Sequence, residues 1–185
     1  MLQKTDAVKL QIPPAFRDRY VVRVTQSKFG PNSNDNPMIT LNLEVVGKPN
    51  KTGSVDTEVK RGENTYQIAG LNIMPVYFTL VKGKALSMYI DFWEKANPGK
   101  EFEGVNEENP DREYLDGLLM EAILTSSNYD MRKELTDEEK EEKKAAGEQA
   151  VGEVILDEDG KPITRQSVNI STWLKKYTGD VPNPY

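Results

Sequence analysis

The chain has 185 residues, of which 37% are hydrophobic and 29% charged, and its net charge is −6. This length suits one domain, and no apolar run approaches the roughly 18 to 20 residues of a membrane-spanning helix. Cysteine and histidine are absent, which excludes disulfides, cysteine or histidine metal sites and the Ser-His-Asp triad. Because phosphate-binding glycine motifs are also missing, we expect neither an enzyme nor a cofactor.

The charge is unevenly distributed along the chain. Residues 1–100 contain 14 Lys/Arg against 9 Asp/Glu, a balance of +5, whereas residues 101–185 contain 10 against 21, a balance of −11. Charges farther apart than a Debye length of about 8 to 10 Å are largely screened, so the positive half can meet a polyanion. The first sixteen residues are broken by charges and prolines, lack the apolar core of a signal peptide and predict a cytoplasmic protein.

Two strands open the chain. Tyr20–Phe29 mixes apolar, cationic and aromatic side chains, and Met38–Val46 alternates cleanly, with a Gly/Pro/Asn-rich loop between them. The alternation predicts that one side of the second strand is core, with the binding surface limited to the first strand and the loop. The predicted core residues are Ile39, Leu41, Leu43 and Val45.

A short strand over Ser54–Val59 and a β-rich run over Thr65–Leu80 follow. Since proline cannot donate to a ladder, we expect a bulge, a strand edge or a helix start near Pro75. Apolar residues then recur every three or four positions over Lys84–Ala96, which predicts one amphipathic helix whose aromatic stripe packs on the sheet.

Beyond the helix, Leu115-Asp116-Gly117 leads into a strand that runs toward Tyr129. The segment 133–150 is rich in Glu and Lys and predicts a charged helical or mobile insertion, with a capping box at Thr136 and Glu139. A turn at Asp157–Gly160 then predicts a hairpin, and we expect residues 178–185 to form a flexible tail.

The order of three β elements, a helix and further β elements is the serial pattern of an OB-fold. We therefore predict a mainly β, OB-fold-like, five-stranded Greek-key barrel with one helix between strands 3 and 4. The charged arm and the extra hairpin are additions to this single domain, which covers residues 1–185.

Single-strand binders need cations that follow the phosphates and aromatic faces on which bases stack. This chain interleaves both kinds of side chain, although a strand aromatic is more often a core residue. Arg23 and Tyr129 have polar neighbours and are the best candidates for an exposed face. The candidate DNA-binding residues are Arg17, Arg19, Arg23, Lys28, Phe29, Lys60, Arg61, Tyr66, Tyr129, Arg132, Trp173 and Lys175.

Three short motifs carry a family resemblance. Ser27-Lys28-Phe29-Gly30, the run from Asn36 to Val45 and Leu115-Asp116-Gly117 resemble phage-encoded single-stranded-DNA-binding proteins of OB type over roughly residues 17–132. The resemblance implies a viral protein of DNA replication or recombination in the host cytoplasm that coats single strands without sequence preference. It also suggests that the tail, with its acid, prolines and terminal Tyr185, recruits replication proteins. The inserted arm departs from the family pattern and leaves the position of the last strand open.

Two alternatives remain. The chain could be a virion or assembly protein that docks through its hairpin and charged arm. It could also be a metal-dependent carboxylate enzyme using Asp91 and Glu94, which share one helical face, although a solvated helix surface explains them more simply.

Overall fold

In a computed structural model of the protein, the structure is described for residues 17–182 and is mainly β. The described residues form two compact units, one comprising 17–126 with 168–182 and the other 127–167. The predicted insertion over 133–150 falls inside the second unit.

The first half of the chain is made of strands. Their bounds are β1 Arg17–Pro31, β2 Pro37–Pro49, β3 Val55–Asp56, β4 Glu58–Arg61, β5 Asn64–Gln67 and β6 Asn72–Thr79. The remaining elements are α1 Lys84–Ala96, β7 Leu119–Asp130, α2 Asp137–Ala145 and β8 Thr164–Lys176. Helix α1 has the predicted bounds, and the predicted strands occur near their expected places.

The main sheet is antiparallel and has the order β3-β2-β1-β7-β8, with β6 also paired to β2. It does not close on itself among the described residues, because no pairing joins β6 to β8. Strands β4 and β5 form a separate hairpin. The β-rich class is therefore confirmed, and the sheet is open.

One face of the sheet carries the main core. Ile39, Leu41, Leu43 and Val45 are all buried there, as predicted. Helix α1 packs against the same core through stacked rings: the centroids of Phe78 and Phe92 lie 5.0 Å apart. Aromatic pairs at this separation add to the stabilisation that burial alone provides.

Three register shifts interrupt the β1–β2 and β2–β6 pairings, the first between Val21 and Val22. The other two set which side chains of the candidate site face the core. The β1–β2 register shifts between Val24 and Gln26, so that Thr25 is an extra residue on β1. The β2–β6 register shifts between Leu41 and Leu43, opposite the segment around Pro75 where a bulge was expected. Each bulge exchanges the inward and outward positions that follow it, because side chains alternate with a period of two.

A smaller apolar cluster lies on the opposite side of β1. Val21, Val46, Val55 and Tyr177 are buried together, and Val181 packs against them. The Tyr177 hydroxyl donates to the Gly53 carbonyl over 3.0 Å. The predicted tail is thus packed as far as Val181, while residues 183–185 lie outside the described part of the chain.

The second unit contains α2, which is capped as predicted. The Glu139 amide donates to the Thr136 hydroxyl over 3.3 Å, and the Thr136 amide donates to the Glu139 carboxylate over 2.7 Å. The expected turn after Leu156 is also present, since the Asp157 amide donates to the Lys161 carbonyl over 2.8 Å. Within residues 17–182, no helix has the length and apolar character needed to cross a membrane.

Candidate nucleic-acid interface

Four of the predicted cations share one face of β1. The β1–β7 register pairs Arg17 with Thr125, Arg19 with Ile123 and Arg23 with Leu119, so these arginines lie on the side away from the main core. Beyond the bulge at Thr25, Lys28 returns to the same side. We call this side of β1, β2, β6, β7 and β8 the outer face.

The outer face places a cation beside an aromatic ring. Lys28 pairs with Thr40 on β2, and Thr40 pairs with Tyr77 on β6, so the three residues form one row across three strands. Tyr77 is 55% exposed, and Lys28 is exposed and makes no ion pair with another residue between 17 and 182. Met74, on the same strand as Tyr77, is also exposed. This row offers one stacking surface and one available positive charge.

Three other cations on this face, Arg19, Arg23 and Lys175, are held by two carboxylates. Arg23 Nη1 lies 3.1 Å from Glu44 Oε1, and the Arg23 side chain is only 16% exposed, less than its polar neighbours predicted. Glu121 is only 3% exposed and pairs with Arg19 on one side and with Lys175, at 3.4 Å, on the other. The two carboxylates fix the positions of the cations and neutralise part of their charge.

Three predicted aromatic residues do not present an open ring to solvent. Trp173, one of the predicted DNA-binding residues, is 7% exposed, with its ring centroid 4.9 Å from that of Phe92, so its ring is not open to a base in this structure. Phe29 and Tyr66 are partly buried and pack against the main core. The Arg112 guanidinium lies 6.0 Å from the centroid of Phe29. The bulge at Thr25 explains why the Phe29 ring faces the main core. It shifts the alternation of β1 by one residue, so that Phe29 points inward and Lys28 points outward.

The β4–β5 hairpin carries Lys60 and Arg61 away from the row just described. Lys60 is exposed, and Arg61 lies 3.7 Å from Asp18. Burial acts to raise the pKa of Asp18, but hydrogen bonds from Lys48 and from the Arg19 amide, with the charges of Lys48 and Arg61, hold it below its ordinary range. Arg61 is therefore engaged with a carboxylate that stays ionised.

The last two predicted residues belong to the second unit. Tyr129 is 45% exposed, as its polar neighbours indicated. Arg132 donates from Nη1 to the Gly152 carbonyl over 2.9 Å. The alternative enzyme pair lies on α1, where Asp91 pairs with Lys95 at 2.8 Å.

Tyr77 is a candidate binding residue that was not predicted from the sequence. The irregularity expected near Pro75 could have indicated it, because one extra residue in β6 turns Phe78 inward and therefore Tyr77 outward. No protein-family model, curated protein or solved structure matches the chain.

Proposed function

We propose that the protein binds single-stranded DNA without sequence preference, across the outer face of an OB-type sheet. The observation that carries the proposal is the row of Lys28, Thr40 and Tyr77, flanked by the other outer-face cations. Cations along a strand provide contacts to successive phosphates, and an exposed ring provides a stacking platform worth about 1 to 3 kcal/mol per base.

The order of the strands supports the OB assignment. Strands β1, β2, β6, β7 and β8 follow one another in the sequence with α1 between the third and fourth, and their pairing order is β6-β2-β1-β7-β8. In an OB-fold, the face of strands 2 and 3 and the adjoining loops bind oligonucleotides. The corresponding strands here are β2 and β6, which carry Thr40 and Tyr77.

The length and charge of the outer face fit this ligand. Val21, between Arg19 and Arg23 on this side of β1, is buried with Val55 and Tyr177. The open part of the face is therefore the stretch from Arg23 to Lys28, five residue steps or about 17 Å at 3.3 Å per residue, which suits a short single-stranded segment. Five predicted cations lie on this face, and two carboxylates, Glu44 and Glu121, pair with three of them. We place this activity in phage replication or recombination, as the family resemblance implies.

The test is the anisotropy of a fluorescein-labelled oligo-dT titrated with the protein at several salt concentrations. An external label is needed because Trp173 is buried and Trp93 packs against Phe102 at 5.3 Å. We expect the logarithm of the binding constant to fall linearly with the logarithm of the salt concentration. Absence of salt-dependent binding, together with stable association with virion proteins, would replace this proposal by the assembly alternative.

A further inference from the structure

The outward direction of Lys28 depends on the bulge in β1. Val24 and Ser27 both pair with buried core residues of β2, although they lie three residues apart instead of two. Without the extra residue between them, the alternation of side chains would turn Lys28 toward the core and Phe29 outward. The bulge therefore decides whether a cation or a ring stands on this part of the outer face.

The turn before β7 holds β1 on the near side of the bulge. The Val24 amide donates to the Leu118 carbonyl over 2.9 Å, and the Gly117 amide donates to the Val24 carbonyl over 2.8 Å. The regular β1–β7 pairing ends at Arg23, so these two hydrogen bonds extend it by one residue. Beyond the bulge, the turn bonds to β1 through a side chain.

Asp116 provides that side chain. Its Oδ1 atom accepts a hydrogen bond from the Ser27 amide over 2.6 Å, and hydrogen bonds that a carboxylate accepts from a backbone amide are among the stronger ones in proteins. The same segment also binds the Ser27 carbonyl, to which Arg112 donates from Nη1 over 3.4 Å. Both backbone groups of Ser27 are thus fixed, and with them the direction of the next residue, Lys28.

The residues beside Asp116 explain how the turn places it. Leu115 is fully buried in the main core and anchors the turn. Gly117 has a φ of +83°, and a Cβ atom there would meet nothing within 4 Å, so the glycine is needed for its left-handed conformation and not for space. The two sequence motifs Ser27–Gly30 and Leu115–Gly117 are therefore in direct contact in the folded chain.

We propose that Asp116 is a positioning residue for DNA binding: by accepting the Ser27 amide, it keeps the bulge in place and directs Lys28 toward the phosphates. The role rests on the proposed function for its ligand, whereas the effect on the direction of Lys28 does not. A carboxylate repels a phosphate, so Asp116 acts through Lys28 and not by contact with DNA.

Cysteine labelling tests the direction of Lys28 without DNA, because the chain has no native cysteine. Lys28→Cys and Phe29→Cys are each labelled with a maleimide under native conditions, alone and combined with Asp116→Ala or Asp116→Asn. We expect the ratio of the labelling rates at positions 28 and 29 to fall about tenfold in Asp116→Ala, the effect of losing one hydrogen bond to a charged group. Asp116→Asn keeps an oxygen acceptor and should retain the ratio.

A third reporter, Ala122→Cys, lies at a buried position of β7 and shows whether the whole fold opens. If it stays protected while the ratio changes, the effect is confined to β1, as the proposal requires. An unchanged ratio in Asp116→Ala, or faster labelling of all three positions alike, would overturn the proposal.

The salt dependence of oligo-dT binding tests the functional role. Loss of one phosphate contact on a single strand lowers the slope of log binding constant against log salt by about 0.7. We expect this decrease in Asp116→Ala and no further decrease when Lys28→Gln is added, because both changes remove the same contact. Asp116→Asn removes the same charge and should keep the wild-type slope, which separates the positioning effect from net charge.

A wild-type slope in Asp116→Ala, or decreases that add in the double variant, would show that Asp116 does not position Lys28 for DNA. If the wild type shows no salt-dependent binding, the proposed function fails instead. The labelling ratio then still decides whether Asp116 sets the direction of Lys28.

Discussion

Tyr77 owes its exposure to the extra residue in β6, and its ring is the most open aromatic surface beside the outer-face cations. We expect Tyr77→Ala to weaken oligo-dT binding by about 5- to 150-fold, since it removes one stacking contact of about 1 to 3 kcal/mol. Tyr77→Phe is the matched control and should retain most of the affinity. Titration of labelled oligo-dT measures both; equal binding by the alanine variant and the wild type would remove Tyr77 from the interface.

Glu121 is buried between two exposed cations, and any phosphate that binds Arg19 or Lys175 must compete with it. We expect Glu121→Gln, which keeps the side-chain shape, to tighten oligo-dT binding about two- to tenfold at low salt, because both cations become available. Glu94→Gln, at an exposed position on α1, removes the same charge elsewhere and should have a smaller effect. If both variants bind alike, the gain reflects net charge rather than the release of these cations.

At the scale of elements, the C-terminal segment is tightly fitted to the turn between β2 and β3. A Cβ atom at Gly179 would overlap the Gly53 carbonyl oxygen, whereas at Gly30 it would meet no atom within 4 Å. We expect Gly179→Ala to lower the free energy of unfolding by about 1 to 3 kcal/mol, as overpacking commonly does, and Gly30→Ala to have little effect. Urea denaturation compares the two variants; unchanged stability of Gly179→Ala would show that this contact does not persist in solution.

The capping box at the N-terminus of helix α2 should make the stability of this helix depend on pH in the acidic range. Hydrogen bonds from the Thr136 backbone and hydroxyl hold the pKa of Glu139 below its ordinary range. The stabilisation from this interaction is therefore fully present above the ordinary glutamate pKa of about 4.3. It is lost as the pH falls through the lowered pKa that Glu139 has in the folded protein.

We expect amide protection in α2 to fall over that acidic range and to respond less to pH in Glu139→Gln, whose side chain does not titrate. Hydrogen exchange followed by NMR measures the effect. Identical pH profiles in the two proteins would exclude the cap as its origin.

At the scale of the whole molecule, periodicity predicted the elements well. Helix α1 has the predicted bounds because its apolar spacing and its stop signal agree, and β2 buries the four predicted residues because its alternation is uninterrupted. The candidate site was harder to predict, since the bulge at Thr25 reverses which of Lys28 and Phe29 faces outward.

The burial of Trp173 was not predictable from its polar neighbours. It depends on the approach of α1, which brings Phe92 against the ring. Such contacts join residues far apart in the sequence, and no local pattern encodes them. Positions of cations along a regular strand can therefore be predicted, whereas the exposure of an aromatic residue depends on bulges and tertiary packing.

If the outer face contacts the phosphates of single-stranded DNA, the salt dependence of oligo-dT binding should change in Lys28→Gln. Each lost phosphate contact on a single strand should reduce the slope of log binding constant against log salt by about 0.7. We expect this reduction in Lys28→Gln and an unchanged slope in Lys100→Gln, which removes an exposed cation outside the outer face. Equal slopes for both variants and the wild type would show that Lys28 does not contact a phosphate and that the outer face around it is not the DNA-binding surface.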